Sequence, residues 1–502
     1  MSVFAADVRP IESTRGRPIA PLVAIAAAIA IGIAVGLAAP NEPLLALAAV
    51  VALLGAVAVA IRPEVAVLIV VGLVYSNAPV VLVTYHSVPV IAAAFVPLIL
   101  VVPAAYDLLV RRQPIVLTPA MPWIAIFLVV QIISTITALD VLDASDSLAT
   151  FATEGIGLYI LVTNSVRSSS LLREVVWVLL LVGAALGALS LYQEVTETYG
   201  NAYFGFAQTE SAETGVTETG LARLAGPIGE KNRYAQIMLM LVPLGIMQFT
   251  AERRRTLRFA AVGCAALASI ATALTFSRGA ALAAGMILLV MVALRYVRPS
   301  HLVAAAVLIA VVLVAVPRYA DRLTTLADAS QLLSDDPAAS GTDNSLLSRA
   351  TENLTALRVF ADHPIVGVGP GQFPNYYREY ADEIGVSVKA QDREAHNLYL
   401  GIAAETGIVG IVAFLAAVTV TLVQLSRVRA RAIVAGRPEL AAMAAGFMLA
   451  LVGYLGSGLF LHLSYARYFW LLMGLAGAAA IVIGREVASS AGTAEAEAPA
   501  SP

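Results

Sequence analysis

The sequence predicts an all-α polytopic membrane protein with about fourteen transmembrane helices and two long outer loops. Of the 502 residues, 59% are hydrophobic and only 13% are charged, and the mean hydropathy is +0.84. One soluble core could not bury that much apolar surface. Apolar runs of about 20 residues, the length that a helix needs to cross a bilayer, recur from end to end. With a net charge of -3, we expect no nucleic-acid partner.

The predicted spans follow one another in a regular order. They are residues 19–38, 43–61, 64–84, 88–110, 119–138, 147–165, 174–193, 232–250, 258–276, 279–295, 302–317, 396–424, 439–461 and 468–484. With a cytoplasmic N-terminus, every second connection falls inside. These inner connections all carry arginine, namely Arg62, Arg111, Arg112, Arg167, Arg173, Arg253 to Arg255, Arg258, Arg295, Arg298, Arg427, Arg429, Arg431 and Arg437. The pattern satisfies the positive-inside rule and predicts that both termini are cytoplasmic.

Two outer connections are much longer than the rest, and we expect function there. They divide the chain into N-terminal transmembrane helices (1–193), a catalytic region (194–438) with outer loops 194–231 and 318–395, and C-terminal transmembrane helices (439–488). The tail 489–502 consists largely of alanine, glutamate, serine and proline, and we expect it to be disordered.

The two long loops contain cations that topology does not require. These are Lys231, Lys389, Arg223, Arg233, Arg349, Arg358, Arg378 and Arg393. Such a cluster favours an anionic ligand at the outer face. The alternative is ion pairing with acids of the same loops, such as Asp335, Asp336, Glu379 and Asp382.

His396 and Asn397 open the long apolar run EAHNLYLGIAAETGIVG, so the imidazole lies at the outer N-terminus of a membrane helix. The positive end of the helix dipole disfavours the imidazolium, which leaves His396 neutral and able to accept a proton from a hydroxyl. Peptide N–H groups there also favour phosphate. The simpler alternative is a capping or interfacial histidine.

Ser277 and Arg278 interrupt a stretch that is otherwise apolar from about Phe259 to Leu294. An arginine in that setting is costly unless it reaches a partner, a cavity or the interface. We therefore predict a tight outer turn that presents a guanidinium to the membrane surface, where its planar fork suits a pyrophosphate. A snorkelling arginine at a helix end is the alternative.

Two further segments contain turn signals. In RATENLTALRVFADHPIVGVGPGQF, an amphipathic helix is predicted to end at His363-Pro364, followed by the glycine-rich turn of Gly367, Gly369 and Gly371. Without a strand-to-helix context we interpret this turn as backbone support for the site and not as a nucleotide loop. In RLAGPIGEKNRYA, a Gly-Pro turn follows Arg223, and Asn232 is predicted to cap the next span.

No metal site or cofactor is predicted, because the five histidines show no ligand spacing and only Asp392 and Glu394 lie near His396. Glu154 and Glu405 fall inside predicted spans and must be paired, protonated or turned towards a polar cavity. A transporter would use such acids as substrate or proton sites.

Together these residues resemble the signature of the O-antigen ligase and Wzy-type polymerase superfamily, whose members are polytopic, GT-C-like membrane glycosyltransferases. The string His396-Asn397, nine residues, Gly407, two residues and Gly410 carries the resemblance. Three further segments agree in order, namely Arg223 with Gly226 and Asn232; Ser277-Arg278-Gly279; and Arg349 with His363-Pro364 and the turn of Gly367 to Phe373. The similarity covers roughly residues 223–414.

This resemblance implies transfer of a glycan from an undecaprenyl-pyrophosphate carrier to a glycan or lipid acceptor hydroxyl, by an inverting and metal-independent route. It implies a multi-pass protein of the bacterial inner membrane with its site on the periplasmic or extracellular face. His396 would be the base or orienting group, Arg278 and Arg223 would hold the pyrophosphate, and Arg349 would be a third contact. The same substrate-binding set includes Lys231, Asn232, Ser277 and Asn397.

One position departs from the family pattern, because Lys231 precedes Asn232 where many relatives have proline. The lysine could change the loop shape and add a phosphate contact. Three functions remain open from the sequence: a ligase or polymerase, a protein O-oligosaccharyltransferase of the same superfamily, or a transporter of the lipid-linked glycan. The last class is built from inverted repeats, and we find no internal repeat in the sequence.

Overall fold

The computed structural model describes residues 53–210, 222–300, 344–384, 393–463 and 466–496. The chain divides into two compact units, Met1–Ile69 and Val70–Pro502. Helices dominate the described residues. The α-helices are α1 (Val65–Tyr75), α2 (Ala78–His86), α3 (Val90–Ala94), α4 (Val101–Ala105), α5 (Met121–Ile136), α6 (Val141–Thr150), α7 (Leu158–Ser165), α8 (Ser169–Val195), α9 (Lys231–Ala251), α10 (Arg255–Leu274), α11 (Arg278–Ala293), α12 (Asn344–Asp362), α13 (Phe373–Ile384), α14 (Leu398–Val434), α15 (Pro438–Ser457) and α16 (Ala466–Ala496).

Within these ranges, six helices are long and apolar enough to cross a membrane, and they are α8, α9, α10, α14, α15 and α16. The pair α1 and α2, bent by 55°, counts as a seventh span if it is one broken helix. The all-α membrane architecture is thus confirmed, whereas the prediction of about fourteen spans is not. Predicted spans 19–38 and 302–317, and most of 43–61, lie outside the described residues.

Besides span 64–84, which the pair α1 and α2 occupies, two further predicted spans are broken into shorter helices. Residues 88–110 form α3, a 3₁₀ turn at Pro97–Leu100, α4 and a π-helical turn at Tyr106–Val110. Proline removes a backbone donor and disfavours helix in the residue before it, so prolines at 97 and 103 explain these interruptions. Residues 147–165 form α6 and α7, which are joined through a π-helical segment, Phe151–Gly157. Hydropathy alone shows neither kind of break.

Helix α15 lies at the centre of the larger unit and packs against α9, α11, α14 and α16. Its sequence, PELAAMAAGFMLALVGYLGS, is rich in alanine and glycine, and small side chains let helices approach closely where lipid supplies no hydrophobic driving force. Ala442, Ala445 and Leu449 of α15 share one buried cluster with Leu239 of α9 and Ile287 of α11. This packing fixes the ends of three helices that carry site residues.

The first of the two loops predicted to lie outside, residues 194–231, contains a short antiparallel sheet of β1 (Gln208–Thr209) and β2 (Leu224–Gly226). Just beyond the sheet, the backbone N–H of Glu210 donates to the carbonyl of Arg223 at 3.1 Å. The sheet therefore holds the acid next to the arginine. At the C-terminus, α16 continues to Ala496, into the segment for which the sequence predicts a disordered tail.

Candidate functional site

Four connections meet at one end of the helical bundle. The N–H of Leu398, at the start of α14, donates to the carbonyl of Gly458 at 2.7 Å. In the same region, Gln236 of α9 donates to the carbonyl of Tyr454 at 3.1 Å. An added Cβ at Gly279 would lie 3.0 Å from the ring of Phe460. The connections at this end are therefore neighbours, and they are residues 222–230, 275–277, 393–397 and 458–463. The predicted alternation of inner and outer connections requires this arrangement, while the side of the membrane remains a prediction.

His396 and Asn397 lie immediately before α14. The Asn397 side chain caps the helix by accepting hydrogen bonds from the N–H groups of Tyr399 at 3.0 Å and Leu400 at 3.2 Å. His396 has a positive φ of 42°, a conformation that a non-glycine residue holds only where the surroundings impose it. The cap and this backbone conformation together fix the direction in which the imidazole leaves the chain.

Glu352 of α12 meets the imidazole of His396. Nδ1 of His396 lies 3.0 Å from Oε2 of Glu352 and also 3.0 Å from the carbonyl oxygen of Glu394. Both neighbours are hydrogen-bond acceptors, so the neutral ring carries its proton on Nδ1 and leaves a lone pair on Nε2. This is the tautomer in which an imidazole can accept a proton at Nε2.

The carboxylate of Glu352 is almost completely buried, with 1% of the residue exposed. Ser348, one turn earlier, donates to its Oε1 at 3.1 Å, and Nε of Arg393 lies 3.9 Å from the same atom. A buried acid held by several groups stays in one place. Arg349 is on the same helix, three residues before Glu352, so it projects from nearly the same face of α12.

A second imidazole faces His396. The ring centroids of His462 and His396 are 5.6 Å apart at 76°, and Nε2 of His462 lies 3.9 Å from Oε1 of Glu394. Burial lowers the pKa of His462 well below its usual range, and the positive charge of Arg233 and the proximity of His396 add to the effect. His462 is therefore neutral near pH 7 and puts no second positive charge beside His396.

Glu394 lies between these basic groups. Burial raises the pKa of its carboxyl, while His396 and Arg233 oppose that shift and Asp143 adds to it. Arg233, which the sequence placed among the outer cations, is 3% exposed and acts on both Glu394 and His462. This end of α9 thus supplies a buried positive charge to the histidine cluster.

Arg278 begins α11 after a three-residue turn from α10, and the Ser277 side chain caps α11 by accepting from the N–H of Ala280 at 3.4 Å. Arg223 supports this turn, because its Nε donates to the carbonyl of Thr275 at 3.2 Å and one Nη donates to Phe276 at 3.1 Å. The structure therefore brings the two predicted arginines together, with Arg223 holding the turn that carries Arg278.

Glu210 links Arg223 to Lys231. Nη1 of Arg223 lies 4.0 Å from Oε2 of Glu210, and the same oxygen is in contact with Nζ of Lys231. The predicted cap of α9 was wrong: the cap is Glu230, whose carboxylate accepts from the N–H groups of Asn232 and Arg233, and Asn232 is the second residue of the helix. A glutamate satisfies those N–H groups and suits the positive helix end.

The glycine-rich turn packs into a break in α14. Gly407 is the break, with a φ of 64°, and an added Cβ there would lie 2.3 Å from the carbonyl carbon of Ile365. Gly367, Gly369 and Gly371 all have positive φ, and Gly410 packs directly on Thr406. Backbone hydrogen bonds replace the missing helical ones, from Val368 to Ala404 (3.1 Å), from Gly369 to Glu405 (3.0 Å), and from Ile408 to Pro364 (2.8 Å). The turn fastens the loop after α12 to the helix that follows His396.

The two acids predicted inside spans both have partners. Oε2 of Glu154 lies 3.4 Å from Nη1 of Arg467, whose other Nη donates to Asn77 at 2.7 Å. Oε1 of Glu405 accepts from the N–H of Phe373 at 3.5 Å, at the start of α13. Both acids therefore connect separate segments of the chain, which is a structural role.

Four of the cations predicted to lie outside pair with acids, as the alternative interpretation expected for some of them. Arg358 is 3.6 Å from Asp362, Arg393 approaches Glu352, and Arg223 and Lys231 share Glu210. Lys389, Asp335 and Asp336 lie outside the described residues. In the parts of the chain that the structure describes, no three histidine, cysteine or acidic side chains are grouped in a way that could hold a metal ion.

Sequence reasoning missed Glu352 and His462, although signals for both were present. Glu352 lies on the helical stripe of Ser348, Ala356 and Val359, so an acid on the buried face of an amphipathic helix could have been noticed. His462 lies between two predicted spans in a connection on the same side as His396. Its position in the topology, and not a motif, was the available signal.

Comparison with known proteins adds one match. Residues 263–415 match the family model described as O-antigen ligase. The matched range contains Arg278, Arg349, the glycine-rich turn, Glu352 and His396, and it stops short of Arg223 and Lys231. The match confirms the resemblance found in the sequence, and it supports a function of the ligase or polymerase type in general. No curated protein matches the chain.

Proposed function

Because residues 263–415 carry the O-antigen ligase match, we propose that this protein transfers a glycan from an undecaprenyl-pyrophosphate carrier to an acceptor hydroxyl at the outer face of the bacterial inner membrane. In this proposal the transfer inverts the anomeric centre and needs no metal. The acceptor oxygen forms a bond to the anomeric carbon as the bond from that carbon to the pyrophosphate oxygen breaks. The acceptor proton goes to the enzyme, and the carrier leaves as the lipid pyrophosphate.

His396 is the base in this proposal, and the contact between Glu352 and Nδ1 of His396 at 3.0 Å is the observation that carries it. With the proton held on Nδ1, Nε2 is the atom that removes the acceptor proton. The imidazolium that results is stabilised by the buried carboxylate next to it. Glu352 is a positioning residue, since it acts through the histidine.

Arg278 is proposed to bind the pyrophosphate, on which negative charge grows as the glycosidic bond breaks. A guanidinium offers two parallel N–H donors to phosphate oxygens, which a lysine cannot do. Arg223 donates to the carbonyls beneath this turn, so its first role in the proposal is to keep Arg278 in place. Its remaining Nη1 and Lys231 share Glu210, and both could reach a phosphate from that position.

Arg349 completes the proposed donor site from α12. It lies one turn before Glu352. A phosphate contact from Arg349 would therefore come from the same helix that orients His396. Ser277 and Asn397 cap α11 and α14 and remain in the proposed substrate-binding set, while the glycine turn supports the backbone of the site.

The proposal is tested by His396→Ala in purified protein supplied with a labelled lipid-pyrophosphate glycan and an acceptor. A positioned base contributes about 10²- to 10⁴-fold to a rate, so we expect transfer to fall by that factor while donor binding persists. His86→Ala is the matched control, because His86 is exposed and contacts only the carbonyl of Phe204 and the Phe204 ring among the described residues. Unchanged transfer by His396→Ala would refute His396 as the base, and absence of transfer by the wild type would refute the proposed function and favour a transporter. Activity lost in chelator and restored by a divalent ion would refute the metal-free route.

Arg278→Lys tests the arginine separately. Loss of a bidentate charge-assisted contact costs about 1.5–3 kcal/mol, so we expect donor turnover to fall at least roughly tenfold. Arg358→Lys, at an exposed pair with Asp362, is the control and should leave turnover unchanged. Wild-type kinetics for Arg278→Lys would mean that Arg278 only anchors the helix at the interface.

A further inference from the structure

A cavity lies at the end of the bundle opposite to His396. Its volume is about 300 Å³, and it is formed by the residues before α5, the second half of α14 and the second half of α16. Apolar and small groups such as Val420, Ala480 and Gly484 line most of it, and Arg431 and Arg485 stand among them. After its break at Gly407, α14 runs for 23 residues from Ile408 to Arg431, about 35 Å at 1.5 Å per residue. The cavity is thus remote from the proposed transfer site.

Both arginines of the cavity are exposed. Within the ranges that the structure describes, neither side chain forms an ion pair or a hydrogen bond, whereas the side chains of Arg437 and Arg167 are paired with acids. Arg167 lies close enough to Arg485 for their charges to interact. The cavity mouth therefore has a local excess of positive charge that the described side chains do not neutralise.

A third element adds to this positive charge. Helix α5 begins at Met121 directly after the cavity residues Thr118 and Ala120, and its N-cap position is alanine, which offers no side-chain acceptor. The positive end of a helix dipole thus lies beside the two guanidinium groups. Thr421 and Gln424 of α14 supply the polar groups of the lining.

We infer that this cavity binds an anionic glycerophospholipid, with the phosphate between Arg431 and Arg485 and part of one acyl chain in the apolar space. Basic pockets between transmembrane helices are typical sites for anionic lipid headgroups. In a bilayer every lipid offers the same apolar chain, so the charged groups must provide the selectivity. A soluble anion would leave the apolar lining unfilled.

The predicted topology assigns the cavity to the cytoplasmic leaflet, because Arg431 lies in an inner connection and span 119–138 begins inside. Only this leaflet assignment depends on the topology. Lipid binding is measured without any glycan substrate, so its failure and the failure of the proposed transfer are distinguishable.

The test uses the purified full chain in detergent with equimolar phosphatidylglycerol and phosphatidylcholine of identical acyl chains. Native mass spectrometry then reports which lipids remain bound. We expect wild type to retain phosphatidylglycerol in preference. Each basic side chain near a headgroup gives roughly a fivefold attraction, so Arg431→Gln with Arg485→Gln should reduce retention about 25-fold.

Two further variants make the test specific. Arg254→Gln with Arg427→Gln removes the same charge at exposed positions outside the cavity, and it should retain the lipid as wild type does. Gly484→Leu keeps every charge but fills the cavity, where an added Cβ has only an ordinary contact with Val428 at 3.5 Å, and it should lose the lipid. An equal loss in both double variants, or full retention by Gly484→Leu, would overturn the inference. So would displacement of the lipid by inorganic phosphate, because the site would then bind an anion alone.

Discussion

Glu352→Gln tests whether the negative charge of Glu352, and not only the space that its side chain fills, orients His396. The substitution keeps the shape of the side chain but removes the negative charge 3.0 Å from Nδ1 of His396, and it leaves the hydrogen bond of Nδ1 with the carbonyl of Glu394 in place. The neighbouring Ser348 hydroxyl can still find an acceptor on the amide. We therefore expect the variant to fold and to bind the donor.

The size of the effect follows from the loss of one charge. An interaction with a charged group contributes about 1.5–3 kcal/mol and one with a neutral group about 1 kcal/mol. The imidazolium forms only as the acceptor proton is removed, so the difference of about 0.5–2 kcal/mol falls on the transition state. That corresponds to a kcat roughly 2- to 30-fold lower with little change in KM for the donor.

The assay is steady-state glycan transfer, with kcat and the KM for the donor measured separately. Glu379→Gln on the neighbouring α13, where the acid is exposed, should change neither constant. A Glu352→Gln variant with wild-type kcat would refute the orienting role, and a change confined to KM would contradict an effect on the transition state.

Two substitutions test the supports of the site. Gly407→Ala combines a φ of 64° with a Cβ only 2.3 Å from the Ile365 carbonyl carbon, so it should destabilise the protein by more than about 2 kcal/mol. Gly436→Ala, at φ 68° in open space, should cost about 1 kcal/mol, and equal costs in denaturant unfolding would contradict the packing. Burial raises the pKa of Glu394 above its ordinary 4.5, so wild type should lose stability as the pH rises from about 4.5 through that raised value. Glu394→Gln should therefore melt higher than wild type at pH 8 and equally at pH 4, and a melting difference independent of pH would exclude this linkage.

Charge and hydropathy were enough to predict which connections share one end of the bundle. The alternation of arginine-bearing turns assigns residues 193–231, 276–279, 318–395 and 461–468 to one side, and the described parts of these segments meet in the structure. The rule works at this level because membrane insertion depends on a sum over many residues, which tolerates errors at single positions.

Interruptions of helices were not predictable in the same way. A hydropathy window averages over α14 without registering Gly407, because the residues on both sides are equally apolar. The break exists because a distant turn supplies replacement hydrogen bonds to the N–H and C=O groups freed there. Local sequence shows the glycines that permit this arrangement but not which backbone will meet them.

The cap of α9 shows how a local preference can be overruled. Asparagine is among the best N-cap residues and glutamate is not, so statistics favoured Asn232. In the structure, the longer carboxylate of Glu230 reaches two N–H groups and also the Asn232 amide at 2.9 Å. Because the negative charge of Glu230 also suits the helix dipole, one residue satisfies three donors, a result that a ranking of cap residues cannot anticipate.

The contact between Glu352 and His396 marks the limit of what spacing can predict. The two residues belong to α12 and to the connection before α14, and a dyad of the proposed kind is defined by geometry and not by separation in sequence. Helix α12 presents Glu352 to His396 because Ala356 and Val359 on the same face pack into one cluster with Ala395 and Ala404. The polar contact therefore depends on apolar packing one and two turns away, so a substitution that repacks Ala356 or Val359 would shift the acid relative to the ring without changing either reacting group.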